Sequence, residues 1–128
     1  MIYADTSVVL AELFAEDRRP APSFWQQRLV ASRLLEYEVW TRIHARDAER
    51  THGDAAREIV GTLALVELSP LVLARAVEPF PVPVRTLDAL HLASALFLQG
   101  RRQPVQLASY DDRMRKAARA VGIELARV

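Results

Sequence analysis

The chain has 128 residues, is 51% hydrophobic, carries a formal net charge of +1 and contains no cysteine. That length suits one domain, expected over residues 1–128, which can bury roughly two thirds of its unfolded surface. The lack of cysteine excludes disulfides, thiolate metal sites and thiol nucleophiles and fits a reducing compartment, while the near-neutral charge excludes a global basic footprint for nucleic acid.

In chain order, MIYA (1–4) reads as a short buried strand running into Asp5, Thr6 and Ser7. SVVLAELFAE (7–16) reads as a first helix capped by Asp5 or Thr6, whose side chains accept backbone N–H bonds where a helix begins. RRPAPSFWQQRL (18–29) has Pro20 and Pro22 near the start of an expected second helix, and LVAS (29–32) is a candidate second strand. RLLEYEVWTRIHARDAER (33–50) has the pattern of one long helix, with DAAREIVGTLAL (54–65) following a break at Gly53. VELS (66–69) resembles a third strand ended by Pro70. LVLARAVEPF (71–80) reads as a short helix stopped by Pro79, Pro81 and Pro83. TLDALHLASALFLQ (86–99) reads as a helix with Thr86 as N-cap and Gly100 just past its end. PVQLAS (104–109) is a fourth strand, DDRMRKAARAV (111–121) a helix closed by Gly122, and IELARV (123–128) a possible last strand.

Short strands alternating with helices imply a three-layer α/β/α arrangement around a mainly parallel sheet of four to five strands. Ligands of such sheets bind beyond the carboxyl ends of the strands. Asp5 follows the first strand and Ser109–Asp112 follow the fourth, so two acidic strand ends can share one edge. No apolar run is long enough to span a bilayer, and the N-terminus lacks the basic start and apolar stretch of a secretion signal. A cytoplasmic protein without membrane contact is therefore expected.

Asp88 lies in a helix that is apolar almost all round, where an unpaired carboxylate is costly to bury. It either complements the helix dipole from the first turn or shares a cation with other acids. His91, one turn on, reads as a hydrogen-bonding core histidine, and His44 and His52 as solvated surface. Glu36 and Glu38 are two residues apart and cannot share a helical face. Periodicity does not choose between them, and Glu38 could simply pair with Arg42. Asp111 and Asp112 are ambiguous in the same way, since either can cap the helix that follows. Taken together, Asp5, one acid of the long helix, Asp88 and Asp111 would form an all-carboxylate cluster. Two carboxylates about 4 Å apart repel by roughly 4 kcal/mol at an effective dielectric near 20. A hard divalent ion removes that repulsion, and oxygen-only ligands favour Mg²⁺ or Mn²⁺ over zinc.

MIYADTS, SRLLEYE, LDALHLASAL and SYDDRMRKAARAVGIEL stand in the order and spacing of PIN-domain proteins. Over nearly the whole chain the sequence resembles the VapC-type ribonuclease toxins of VapBC toxin–antitoxin pairs. The resemblance matches Asp5 to the first family acid, Glu38 to the second, because it stands six residues after Ser32, Asp88 to the third and Asp111 to the fourth. Thr6 or Ser7 matches the hydroxyl that supports the first Asp, and Ser109 stands where Thr is frequent. The implied fold is PIN-like. The implied activity is that of a Mg²⁺- or Mn²⁺-dependent endoribonuclease, with Asp5, Asp88, Asp111 and Glu38 holding the metal and a metal-activated water hydrolysing RNA phosphodiester bonds. The implied partners are a cognate VapB-type antitoxin, a second copy in a homodimer, and promoter DNA only through the antitoxin. Arg42, Arg85 and Arg113 are candidates for the RNA backbone by their nearness to these motifs rather than by the family pattern, and Trp25 and Trp40 are either interface or core residues. The alternatives are a PIN nuclease of RNA processing or decay and a catalytically weak binding protein.

Overall fold

The computed structural model describes residues 1–128. Its sheet has five strands, β1 (Ile2–Ala4), β2 (Leu29–Ser32), β3 (Ala64–Val66), β4 (Gln106–Ala108) and β5 (Glu124–Leu125), in the order β3-β2-β1-β4-β5 with every pairing parallel. The helices are α1 (Thr6–Leu13), α2 (Leu34–Ala45), α3 (Glu49–Gly61), α4 (Pro70–Ala76), α5 (Thr86–Gly100) and α6 (Asp112–Ala120).

Period-2 alternation along the central strands divides the core into two layers. Ile2, Ala4, Leu29 and Ala31 pack with Val8 and Val9 of α1 and with Leu35, Val39 and Ile43 of α2. Tyr3, Val30 and Leu107 face the other way, onto Leu92 and Ala95 of α5 and Met114, Ala117 and Ala118 of α6. The strands are buried on both faces, which is why they read as short apolar runs. β1 lies where the chain order reverses: β2 and β3 extend the sheet on one side of it, β4 and β5 on the other. In an open parallel sheet that reversal leaves a crevice at the carboxyl edge.

Several boundaries differ from the sequence expectation. The second helix is only a 3₁₀ turn, Pro22–Gln26, because β2 begins three residues after it and leaves no length for α-helical turns. The long helix expected over 33–50 ends at Ala45. Its buried stripe of Leu35, Val39 and Ile43 would continue into Arg46, Asp47 and Arg50, which cannot be buried unpaired. Asp47 instead adopts a left-handed φ of 50°, and the Ala48 N–H donates to the Ile43 carbonyl while that of Asp47 donates to His44, a Schellman closure. Gly53 is therefore no break. It lies inside α3, with Trp40 3.5 Å from where a Cβ would stand.

The third strand is Ala64–Val66, two residues earlier than expected, because Ser69 is taken as the cap of α4, accepting from Val72 N–H. Arg85, not Thr86, occupies the N-cap position of α5, and that helix runs through Gly100 to a left-handed Arg102. Gly122, at φ 82°, closes α6 as expected. Trp25 and Trp40 are half-buried, packed on Phe24 and against α3 respectively. The exposed apolar side chains lie elsewhere: Leu71, Leu73, Val77, Leu87 and Tyr37. No helix is long and apolar enough to cross a membrane.

Candidate metal centre and active site

Asp5 leaves β1 and stands at the N-cap position of α1, yet its side chain makes no capping bond. Its Oδ2 accepts from Ser7 Oγ and from Ser109 Oγ, each at 2.8 Å. The second bond exists because β1 and β4 are neighbours, with Asp5 N–H donating to the Ala108 carbonyl at 2.9 Å. Ser109 Oγ also accepts from Asp111 N–H at 3.0 Å, which ties the fourth strand end to the first. Oδ1 of Asp5 has no protein donor.

Glu38 arrives on α2, which packs in the same layer as α1. Ser32 ends β2 two residues ahead of α2, its Oγ accepting from Leu34 N–H at 3.1 Å, and the first turn of the helix then carries Glu38 over the strand ends. Glu38 Oε1 accepts from Thr6 Oγ1 at 2.8 Å and from His91 Nε2 at 2.5 Å. Glu36 points elsewhere, to Arg33 at 3.1 Å. Glu38 makes no ion pair with Arg42.

Asp88, in the first turn of α5, and Asp111, ahead of α6, complete the set. Asp111 serves as cap and cleft wall at once. Its Oδ1 accepts from Arg113 N–H at 2.9 Å, and the residue lines the same cleft as Asp5, Glu38 and Asp88. That cleft, about 510 Å³, is also lined by Thr6, Ser7, His91, Arg42 and Arg85. Asp112 is not among its walls. Larger clefts beside α4 are lined mainly by apolar residues and the proline segment and hold none of the four acids.

The electrostatics follow from this crowding. Burial, then the charges of Asp111 and Asp5, raise the Asp88 carboxyl above its ordinary pKa, against the opposing pull of Arg85. Burial alone would depress the His91 imidazole, but the hydrogen bond to Glu38 and the charges of Asp5, Glu38 and Asp88 outweigh it, and its pKa is raised. Burial and the charge of Asp5 push the Tyr3 phenol far up, so it stays a neutral hydroxyl.

No three His, Asp or Glu side chains converge tightly enough to enclose an ion by themselves. The acids ring an open cleft, and Asp5 Oδ1 and Glu38 Oε2 each lack a protein donor. Such a donor set fits Mg²⁺ or Mn²⁺, because Mg²⁺ keeps several waters and takes one or two carboxylates with the remainder from substrate phosphate. Neither His91 nor Tyr3 was among the residues expected at the site. The signal for His91 was a histidine one turn from Asp88 in an apolar helix, while Tyr3 carried none beyond an aromatic residue in a strand.

The molecule is an open parallel sheet with a cleft at its carboxyl edge, lined by Asp5 after β1, Glu38 of α2, Asp88 of α5 and Asp111 after β4. The family pattern described as "PIN domain" matches residues 2–120. The chain is 33% identical over 128 residues to Ribonuclease VapC46 of Mycobacterium tuberculosis, an alignment covering 95% of this chain and 93% of the relative. It is 30% identical to Ribonuclease VapC47 from the same species, with the same coverage. A chain from the solved "Toxin-antitoxin complex from Klebsiella pneumoniae" superposes with a TM-score of 0.69 at 19% identity, covering 98% of this chain and 97% of that one. The chain belongs to the PIN-domain family, among its VapC-type members.

Proposed function

We propose that the chain is an endoribonuclease dependent on Mg²⁺ or Mn²⁺ and the toxin of a VapBC-type module, working as one PIN domain over residues 1–128. The observation that carries this reading is the convergence of Asp5, Glu38, Asp88 and Asp111 on one cleft, in a chain that aligns over 95% of its length with proteins named ribonucleases. A divalent ion bound among these acids would neutralise their crowded charge and lower the pKa of a water for in-line attack on a phosphodiester.

The chain's own residues prepare that step. Ser7 and Ser109 hold one oxygen of Asp5 and leave the other for the ion. Thr6 and His91 do the same for Glu38. Asp88 and Asp111 close the ring from α5 and α6, and Arg42 and Arg85 stand on the cleft wall without carboxylate partners. Next to it, a smaller groove shares Arg85 and Asp88 and adds Arg113 and Lys116. These cations suit RNA phosphates on either side of the scissile bond, whereas Arg33, Arg57 and Arg75 are engaged by acidic neighbours.

Arg85→Ala, Arg113→Ala and Lys116→Ala should each weaken RNA binding a few-fold. Each should also reduce the slope of log K against log salt by about 0.7, the contribution of one single-strand phosphate contact. Unchanged slopes in filter-binding titrations would remove the residue concerned from the RNA path. The partners consistent with this reading are a VapB-type antitoxin, a second copy of the toxin, and promoter DNA through the antitoxin alone, all in the cytoplasm. The neighbour named as a toxin–antitoxin complex supports the first of these.

The direct test is incubation of the purified chain with cellular RNA, followed by sequencing of new 5′ ends. Discrete cuts with Mg²⁺ or Mn²⁺ that vanish with a chelator are expected. Cuts that persist in the chelator would overturn the assignment.

A further inference from the structure

We propose that His91, steadied by Tyr3, is a positioning residue that locks Glu38 with one oxygen turned into the cleft and thereby helps select a small octahedral cation. This rests on the metal-dependent reading of the cleft and assigns work to two residues outside the acid set.

The chain of bonds runs through both layers of the fold. Ser32 N–H donates to Tyr3 Oη at 3.1 Å, and Tyr3 Oη lies 2.8 Å from His91 Nδ1. His91 Nε2 lies 2.5 Å from Glu38 Oε1. Tyr3 is fully buried and His91 is 2% exposed, so water competes for neither. The Tyr3 ring meets the imidazole edge-on, with centroids 6.0 Å apart. A carboxylate oxygen only accepts, so Nε2 carries the proton toward Glu38 whether the ring is neutral or charged. In the neutral ring Tyr3 donates to Nδ1, and in the charged ring it accepts; either way the imidazole plane is held.

Thr6 Oγ1 supplies the second donor to the same oxygen at 2.8 Å. Oε1 is thus saturated and Oε2 is left for the cleft. Asp5 has the same pattern, with Oδ2 saturated by Ser7 and Ser109. Two carboxylates that each offer one oxygen suit Mg²⁺ or Mn²⁺. Ca²⁺, with six to eight ligands, reaches that number more readily with bidentate carboxylates, the mode that saturation of Oε1 denies it. An outer partner of this type, bonded to a ligand rather than to the ion, commonly carries a tenfold to hundredfold effect on metal affinity or activity, of that order.

The test is calorimetric titration of the RNA-free protein with MnCl₂ and with CaCl₂. His91→Leu should lose about tenfold or more in Mn²⁺ affinity and lose proportionally less for Ca²⁺, so the preference between the two narrows. His91→Gln, which keeps an amide donor directed at Glu38, should recover most of the loss, and Tyr3→Phe should fall between. With RNA and Mg²⁺, kcat should fall for His91→Leu while KM stays near the wild-type value.

Equal Mn²⁺ and Ca²⁺ affinities and equal kcat in wild type and His91→Leu would overturn the proposal. A wild type that neither binds Mn²⁺ nor cuts RNA would instead sink the metal-dependent reading. The positioning is read separately from the ¹³C resonance of the Glu38 carboxyl in metal-free protein. That resonance should move in His91→Leu and return in His91→Gln, and its constancy would overturn the proposal whatever the ion does. Should His91→Leu not fold, Tyr3→Phe carries the same comparisons.

Discussion

Asp5→Asn is expected to reduce RNA cleavage by about a thousandfold or more while the protein remains folded. Binding a cation at the reacting phosphate supplies several kcal/mol of charge stabilisation, and about 4 kcal/mol corresponds to a factor of a thousand in rate. Asn keeps one carbonyl oxygen, which can still accept from Ser7 and Ser109, so the joint between β1 and β4 survives. What changes is the second position, where an amide N–H₂ now faces the cleft and cannot ligate a cation. The checks are the rate of cutting at mapped sites with saturating Mg²⁺, and the melting temperature of the same samples. Loss of activity with an intact fold locates the effect in the chemistry. Retained cleavage would remove Asp5 from the ion-binding set.

Asp88→Asn is expected to abolish cleavage to a similar degree but to stabilise the metal-free protein. The Asp88 carboxyl is raised above its ordinary value of 3.8 by burial and by the charges of Asp111 and Asp5. A carboxyl raised on folding contributes stability that is fully present below its unfolded pKa and is lost as the pH rises through the folded one. At neutral pH the ionised Asp88 is therefore a cost, removed by the amide. The side chain is partly solvated, so screening keeps the gain within about 1 kcal/mol, or a few degrees in Tm. Thermal melts in chelator should show the variant above wild type at pH 7 and the two converging near pH 4. Adding Mg²⁺ or Mn²⁺ should raise wild type and leave the variant nearly unmoved, because ligand binding stabilises only a protein that binds it. A variant less stable than wild type in chelator would mean that Asp88 makes favourable contacts the cleft geometry does not contain.

The exposed apolar residues on α4 show how far local patterning reaches. Trp25 and Trp40 read in the sequence as either interface or core residues. In the fold Trp40 covers Gly53 between α2 and α3, and Leu71, Leu73 and Val77, in and just after α4, are among the side chains left outside. Hydrophobicity says that a side chain is better buried, but only the packing decides which helix face lacks a neighbour.

By itself the sequence determined what local chemistry decides. The short apolar runs MIYA and LVAS marked candidate strands, the first of them buried. The stripe of Leu35, Val39 and Ile43 specified α2, and Gly122 specified the end of α6. The spacing from Ser32 to Glu38, read through a family resemblance, separated Glu38 from Glu36, which periodicity could not do. Tertiary structure alone decided the rest, because the partners are far apart in the chain. Glu38 and His91 are 53 residues apart, Tyr3 and His91 are 88, and Asp5 and Ser109 are 104. Their meeting depends on β1 lying between β2 and β4 and on two helical layers closing over one sheet edge. No local propensity encodes that order. The sequence supplies three acids at a strand end or a helix start and a fourth inside α2, and the sheet order turns them into one cleft and selects the carboxylate oxygens that remain free.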